Sequence, residues 1–409
     1  MQTALDALLF FVALYPVLTA ALWIAGGIMF KLIDERKPEV PAGGWPGVTI
    51  LIPAYNEGPV IATSVRAALA SSYPELEVLV LDDGSKDDTA QVAREVTADD
   101  PRCEVVRDEV NRGKAERLNI GFARARHDLI VVTDADAHLH PLAVRRLVER
   151  ISRSPMVAAV AGGPFVTNRA YLISALQVLE AAAVIGLIRR THSLTGRVGV
   201  VAGVCGLFRR DAVLGVGGYD DVMATEDIDL TWRLLLDGWH TAYAPDALVG
   251  MEVPTTVTAL WSQRKRWARG QGEVLHKYLT TTLRWRHHQM WLLTSESVLS
   301  LLWCIALVVS LVVAALNVMF GHDLGTFAFG LAWGVAISVV ATVQLLIAMW
   351  LRYSYDHWGP RSLLVASMYP AVFWLASAAA TLHSQLRAVF TGPRDRRVVW
   401  DIPRETVES

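Results

Sequence analysis

Several short stretches of this chain carry residues suited to chemistry on a charged substrate. Asp134-Ala135-Asp136 follows the apolar run Leu129-Ile130-Val131-Val132. At a spacing of two, both carboxylates of an extended strand point the same way. Like charges held together repel unless a cation lies between them, and a hard divalent ion carrying phosphate oxygens meets that need. Two solvated aspartates capping a strand end satisfy the same spacing, so the motif alone leaves both readings open. Asp82-Asp83-Gly84-Ser85 ends a second apolar run. A carboxylate there can accept from a uracil ring N–H, or Asp83 can merely cap the helix beginning near Asp87. Pro53-Ala54-Tyr55-Asn56-Glu57 ends a third run, where Tyr55 can stack on a base. In Asn111-Arg112-Gly113-Lys114 the lysine opens a helical stretch. Its ammonium and the helix N-terminus both favour phosphate, although a surface charge reads the same way.

Further on, Thr225-Glu226-Asp227-Ile228-Asp229-Leu230 opens a helix that runs through Trp232 to Leu236. Ordinary acidic N-capping accounts for one carboxylate there, but not for three behind the flexible pair Gly217-Gly218. A carboxylate at this position can take a proton from a sugar hydroxyl, a contribution of roughly 10²–10⁴-fold. In Gln263-Arg264-Lys265-Arg266-Trp267, helical spacing puts Gln263, Arg266 and Trp267 on one face. Arg266 can grip a pyrophosphate oxygen and Trp267 can stack on a sugar ring. A basic anchor at a membrane interface fits the same composition.

The elements that must position these residues follow from pattern. Val48–Ile52, Leu76–Leu81, Cys103–Arg107 and Leu129–Val132 read as strands, and their lack of polar alternation marks buried ones. Helical stretches to about Ser72, over Asp87–Thr97 and over Lys114–Ala125 separate them. The alternation predicts a parallel α/β sheet of nucleotide-binding type. Ligands of such sheets sit at the carboxyl ends of the strands, which is where Tyr55, Asp82, Asp83, Asp134 and Asp136 fall. Together with Lys114, in that order and at strand ends, they describe a nucleotide diphosphate site.

Composition sets the wider frame. The chain has 409 residues, 53% of them hydrophobic and 19% charged, with a mean hydropathy of +0.34. That is too apolar for a soluble enzyme and too charged for a bundle of membrane helices alone, so a soluble domain grafted onto membrane spans is expected. The net charge of −2 gives no reason to expect a nucleic-acid partner. Cys103, Cys205 and Cys304 are too scattered for a disulfide framework and suit a reducing compartment. Ala7–Phe30 is uncharged and long enough to span. Lys31, Arg36 and Lys37 after it place the following domain in the cytosol. Thr256 to about Trp285, rich in Trp, Arg and Lys, reads as interfacial helices. Ser297–Phe320 and Leu324–Leu351 are span-length. Leu363–Leu386, broken at Pro370, makes a third such segment that would put the C-terminus outside. Arg387, Arg394, Arg396, Arg397 and Arg404 favour inside, so this last segment is either re-entrant or interfacial. Glu296 faces either a polar path or the headgroups. The expected divisions are a membrane helix over 1–35, a cytosolic domain over 36–254, interfacial helices over 255–293, a membrane region over 294–390 and a basic tail over 391–409.

Taken together, Pro53 to Glu57, Asp82-Asp83-Gly84-Ser85, Asp134-Ala135-Asp136, Thr225-Glu226-Asp227 and Gln263-x-x-Arg266-Trp267 resemble the motifs of processive, inverting family 2 glycosyltransferases. That family includes the cellulose, chitin, hyaluronan and poly-N-acetylglucosamine synthases. Ile185 to Thr191, Phe208-Arg209-Arg210, Met223 to Trp232 and Leu260 to Val274 are similar to the bacterial poly-β-1,6-N-acetylglucosamine synthase subfamily. The resemblance runs from the first span to the tail near Trp400.

The resemblance implies a GT-A cytosolic α/β domain flanked by transmembrane helices, in the inner membrane of a bacterium. The implied activity is polymerisation of N-acetylglucosamine from UDP-GlcNAc into an exported β-linked polysaccharide. Alternatives are a hyaluronan-, chitin- or cellulose-type product, or transfer of one sugar to a lipid carrier. It further implies that Pro53, Tyr55, Glu57, Asp82 and Asp83 surround the nucleotide, with Tyr55 and Asp83 on the uracil. Asp134 and Asp136 would bind diphosphate through Mg²⁺ or Mn²⁺, Asp136 being the closer ligand. Lys114 and Arg266 would neutralise the leaving group. Asp227, beside Glu226, would be the base. Gln263 would bind substrate, and Trp267 would form the acceptor floor. The subfamily commonly pairs with a small membrane subunit and often has two N-terminal spans, where this chain has room for one. No domain for a cyclic dinucleotide follows the tail, so a partner would have to supply any such control.

Overall fold

A computed structural model describes residues 2–35, 40–41, 43–320, 324–356, 358–366 and 368–398. Arg36, Lys37, Trp400 and Arg404 lie outside the described residues. Eight strands among those described form one sheet: β1 Val48–Ala54, β2 Leu76–Asp83, β3 Cys103–Asp108, β4 Leu129–Val132, β5 His138–Leu139, β6 Val157–Val166, β7 Gly206–Arg209 and β8 His240–Met251. The spatial order is β3-β2-β1-β4-β7-β6-β8-β5. β3, β2, β1 and β4 run parallel, as the alternation of strands and helices predicts. The other half departs from a purely parallel sheet. β7 is antiparallel to both β4 and β6, and β5 is antiparallel to β8. Both are short, four and two residues, too brief to leave a period in the sequence.

β1, β2 and β4 are buried at every position because helices cover both faces of the sheet. Ile50, Ile52, Val78 and Val131 point into one core, with Ile61 and Val65 of the helix Gly58–Leu69 and Leu147 of the helix Ala143–Ile151. Leu51, Leu79, Ile130 and Val132 point into the other, with Leu118 and Phe122 of the helix Lys114–Arg124 and Leu230 and Leu234 of the helix Glu226–Leu236. Fully burying such side chains stabilises the domain by about 1.5–3 kcal/mol each. The period of two fixes which residue goes to which face, and with that which loops reach the carboxyl edge.

Among the described residues four helices are long and apolar enough to cross a membrane: Leu5–Ile33, Leu172–Leu194, Trp285–Met319 and Gly334–Arg352. Leu172–Leu194 is not among the spans expected from sequence. It connects β6 to β7, and these are hydrogen-bonded neighbours. A segment whose flanking strands pair in one sheet begins and ends on the same side of any membrane, so it does not cross. Its centre, Ala181–Ile188, is a π-helix. It docks on the helix Gln2–Ile33, where Thr191 Oγ1 donates to the Trp23 carbonyl at 3.1 Å. Arg190 donates to Glu35 at 2.8 Å and to the Leu351 carbonyl at 3.3 Å. Arg352 in turn donates to the Pro164 carbonyl on β6 at 2.8 Å. These bonds seat the apolar helices against the sheet domain.

The segment around Pro370 is divided. Pro360–Val365 ends one helix and Tyr369–Ala380 begins the next, with Pro370 in its first turn, where a missing N–H costs nothing. A π-turn at Thr381–Gln385 and the helix Leu386–Thr391 continue it. The chain then returns to the sheet domain. The Val398 N–H donates to the Asp221 carbonyl at 2.8 Å, and Arg397 pairs with Glu116 at 2.6 Å and Asp221 at 2.9 Å.

Candidate active site

The loops after β1 and β2 are bolted to each other. The Asn56 N–H donates to Ser85 Oγ at 2.9 Å, Asn56 Oδ1 accepts from the Lys86 N–H at 2.9 Å, and the Glu57 N–H donates to Thr89 Oγ1 at 2.7 Å. Tyr55, half-buried, sits at this junction, with Pro53 and Glu57 buried on either side. Asp82 and Asp83 are both fully buried. Asp83 accepts from the Arg112 N–H at 3.0 Å and the Gly113 N–H at 2.7 Å, and pairs with Arg117 Nε at 3.2 Å. Burial pushes its carboxyl above the usual range, against the pull of those two N–H groups and Arg117. Its first task is therefore to hold the Asn111–Lys114 loop. Asp82 accepts at Oδ1 from Ser85, and its Oδ2 lies 3.3 Å from Arg107 Nε without an aligned donor among the described residues.

That loop delivers Lys114. Gly113 adopts φ +95°, a conformation side-chain-bearing residues rarely take. Beyond it Lys114 Nζ reaches 2.5 Å from Asp134 Oδ1 and 3.8 Å from Glu226 Oε1. One ammonium thus joins the end of β4 to the start of the helix Glu226–Leu236. Gly203 floors this contact: a Cβ there would stand 2.9 Å from Lys114 Nζ and 3.7 Å from Asp134 Oδ1. Asp136, half-buried, lies two residues on. Burial works against the Lys114 charge, but Asp134, Glu226 and Asp227 outweigh it and hold the ammonium protonated well above its ordinary value.

Asp227 shows the converse. Burial and the charge of Glu226 push its carboxyl up to about 6, while Lys114 and Arg266 hold it down. The groups that shift it come from three separate motifs, so Lys114, Glu226, Asp227 and Arg266 feel one another across one site. Asp229 belongs elsewhere. It is fully buried and accepts from Lys277 at 2.9 Å, Tyr278 at 2.7 Å and Arg233 at 2.8 Å. This third acid anchors its helix rather than facing the site.

The helix Val257–Thr282 carries Gln263, Arg266 and Trp267. Thr256 caps it, accepting from the Ala259 N–H at 3.3 Å. Arg266 is exposed and Trp267 is 42% exposed, whereas Gln263 Oε1 is buried without a donor among the described residues. Arg264 lies 4.7 Å over the Trp267 ring and forms a two-pronged pair with Glu180. Two contacts fix this helix against the acidic loop. Glu273, fully buried, accepts from the Ala224 N–H at 2.8 Å. Gly270 abuts Thr225 so closely that a Cβ would come within 1.8 Å of its Oγ1. Neither residue stands out in the sequence, because an i,i+4 Arg269–Glu273 pair and a helical glycine are common features. Glu296, expected to face a polar path or headgroups, is hydrogen-bonded to His192 Nε2 at 2.7 Å.

A half-parallel sheet with an acid pair after β4, and a lysine linking that pair to a second acidic helix start, is the architecture of a GT-A nucleotide-sugar transferase. Residues 46–270 match the family model described as "Glycosyltransferase like family 2", and the chain belongs to that family. It is 32% identical over 381 residues to poly-beta-1,6-N-acetyl-D-glucosamine synthase of Staphylococcus aureus, covering 91% of this chain and 92% of that one. It is 30% identical over 390 residues to the protein of the same name from Staphylococcus epidermidis, covering 93% and 94%. Among solved structures it is similar to a mannosyltransferase from Pyrobaculum calidifontis in complex with GDP-Man and Mn²⁺. The TM-score is 0.66 at 21% identity, over 93% of this chain and 97% of that one, a likeness of fold.

Proposed function

We propose that this glycosyltransferase polymerises N-acetylglucosamine from UDP-GlcNAc into a β-linked chain, of the β-1,6 type, and passes it across the inner membrane of a bacterium. The observation that carries the reading is the Lys114 bridge between Asp134 and Glu226, with Asp227 and Arg266 in the same field. Similarity along nearly the whole chain to synthases of that polymer supports the sugar and the linkage.

In this reading the uracil lies at the Tyr55 loop and the acids ending β2. Its diphosphate faces Lys114, with Arg266 across from it. Asp227 accepts the proton of the acceptor hydroxyl. The freed oxygen attacks the anomeric carbon from the face opposite the diphosphate, and the bond from that carbon to the phosphate oxygen breaks, inverting the centre. The departing UDP gains one negative charge on the oxygen that held the sugar, beyond the two its diphosphate already carried, and preorganised positive groups are usually the largest catalytic contribution. Lys114 is already held charged for that purpose. Trp267, partly exposed and steadied by Arg264, stacks under the acceptor sugar.

The donor set suits a divalent ion. Asp134, Asp136, Glu226 and Asp227 outnumber Lys114 and Arg266, so the site carries surplus negative charge before any diphosphate enters. Among the described residues no three candidate ligands cluster closely enough to hold an ion by themselves, so an ion on Asp134 and Asp136 would need substrate oxygens to complete its shell. Asp136 and Asp134 would hold Mg²⁺ or Mn²⁺, which would neutralise charge on the leaving diphosphate. The sheet domain lies in the cytosol, and a small membrane subunit is the expected partner.

Membranes holding the chain, incubated with labelled UDP-sugars and Mg²⁺ or Mn²⁺, test this directly. The expected product is a polymer from UDP-GlcNAc that a β-1,6-specific hydrolase degrades. A hyaluronan or β-1,4 product overturns the sugar and linkage, and a single-sugar glycolipid overturns processivity.

A further inference from the structure

At the seam between the helix Val257–Thr282 and the helix Leu386–Thr391 lies a cavity of about 240 Å³ lined by Arg269, Arg387, Thr391, Gly392, Pro393 and Arg394. Three guanidinium groups line it and no carboxylate does. Arg269 has one acidic partner, Glu273, at 2.6 Å. Arg387 and Arg394, both exposed, make no ion pair among the described residues. Like charges converge here at a cost that an anion would relieve. The wall is built by a chain reversal: Gly392 takes φ +70°, a Cβ there would stand 2.8 Å from the His276 ring, and that ring bonds the Val389 carbonyl at 2.8 Å. None of the lining residues belongs to the site around Lys114 and Asp227.

The level of the cavity indicates what reaches it. Gln271, two residues past Arg269, donates to Ser297 at 3.1 Å, early in the candidate span Trp285–Met319. Phe390, next in the chain to the lining residue Thr391, is 77% exposed. Exposed aromatic and aliphatic side chains next to arginines mark headgroup depth. We propose that this cavity binds a phosphate-bearing anion, the headgroup of an anionic phospholipid or a soluble phosphate, and through Arg269 steadies the loop that carries the proposed base. Arginine forks match phosphate oxygens two at a time. Arg269 holds Glu273, Glu273 holds the Ala224 N–H at 2.8 Å, and Thr225-Glu226-Asp227 follows directly. An anion on the outer side of Arg269 fixes the guanidinium that fixes Glu273. The link to turnover rests on the polymerase reading above; the binding site does not.

The full chain in nanodiscs tests this, with phosphatidylcholine alone or mixed with phosphatidylglycerol, beside detergent-solubilised chain titrated with inorganic phosphate. Synthesis is expected to rise several-fold with phosphatidylglycerol. Arg387→Gln/Arg394→Gln should lose that rise while keeping the basal rate and UDP affinity, and each arginine removed should weaken lipid retention roughly fivefold. A rise with inorganic phosphate alone, lost in the same variant, assigns the site to a soluble phosphate. Equal rates and equal lipid retention for both chains in every condition overturn the proposal. So does a parallel loss of UDP affinity, which would make the cavity part of the nucleotide site. Lipid retention read by native mass spectrometry needs no turnover, so failure of the polymerase reading and failure of this site are distinguishable.

Discussion

Asp227 and Asp229 stand two residues apart at one helix start, and their surroundings give them opposite work. Asp229 has three donors on it and no exposure. Replacing it with Leu leaves Lys277 and Arg233 without their shared buried partner. Breaking a buried pair this way costs about 3–5 kcal/mol, so thermal unfolding of Asp229→Leu should shift sharply downward, and an unchanged melting temperature would refute the anchoring role. Asp227 is instead held near a useful proton affinity, at about 6. A base must be ionised to act, so the turnover number should fall tenfold per pH unit below about 6 and level off above it. The stability effect has the opposite sign. Between the unfolded carboxylate value near 4 and about 6 the folded chain keeps a proton that the unfolded chain has shed. The contribution of this group to stability therefore declines as pH rises through that window. Asp227→Asn should lose synthesis by about 10²–10⁴-fold, keep UDP binding in calorimetry, and melt no lower than the parent at pH 7. Nothing in the letters Glu226-Asp227-Ile228-Asp229 separates the two roles. Arg233 lies one turn on, but the other partners of Asp229, Lys277 and Tyr278, are brought to it only by the fold.

Among the elements, the helix Val257–Thr282 does two jobs that its sequence shows unequally. Spacing groups Gln263, Arg266 and Trp267 on one face. The face that grips the acidic loop was not legible, because its contact residue is Gly270, and a glycine records the shape of its neighbour rather than any chemistry of its own. Its missing side chain lets Thr225 approach. Gly270→Ala should push the Thr225 loop away from Lys114 at a cost of about 1–3 kcal/mol. The turnover number is expected to drop by tenfold or more while the far-UV circular dichroism spectrum stays that of the parent; parental activity would show that the loop tolerates the shift. The same logic explains what else the sequence displayed and hid. β1, β2 and β4 are apolar throughout because both their faces are covered, so they announce themselves and carry Tyr55, Asp82, Asp83, Asp134 and Asp136 to one edge. β7 spans four residues and leaves no pattern. Leu172–Leu194 was hidden for a different reason. A helix packed against both β6 and the apolar helices Gln2–Ile33 and Leu324–Arg352 has no polar face to set a period, and its basic end, Arg189-Arg190, looks like ordinary flanking charge until Glu35 is seen against Arg190.

At the scale of the whole molecule, the question left open by counting spans is on which side the tail lies. The helices Gln2–Ile33, Trp291–Met319 and Leu324–Arg352 are read as crossings, and Leu172–Leu194 is not, since β6 and β7 pair across it. With the sheet domain following the first crossing, the next two leave that side and return to it, as Arg352 bonded to the Pro164 carbonyl requires. Tyr369–Thr391 then has to end where it began. Arg397 on Glu116 and Asp221, with the Val398 N–H on the Asp221 carbonyl, places residues 397–398 against the sheet domain. A crossing between Tyr369 and Thr391 would carry them across the bilayer from it. In this reading the chain up to Val398 and the domain share a compartment, in agreement with Arg387, Arg394, Arg396 and Arg397 there. Protease reporters fused after Ser409 and inserted at the exposed Asp237–Gly238 turn should both stay protected in intact cells and both be cut in inverted vesicles, with a reporter ahead of Met1 showing the reverse. Protection of the tail and the domain in opposite preparations would mean that Tyr369–Thr391 crosses, and the contacts of Arg397 would then have to be abandoned.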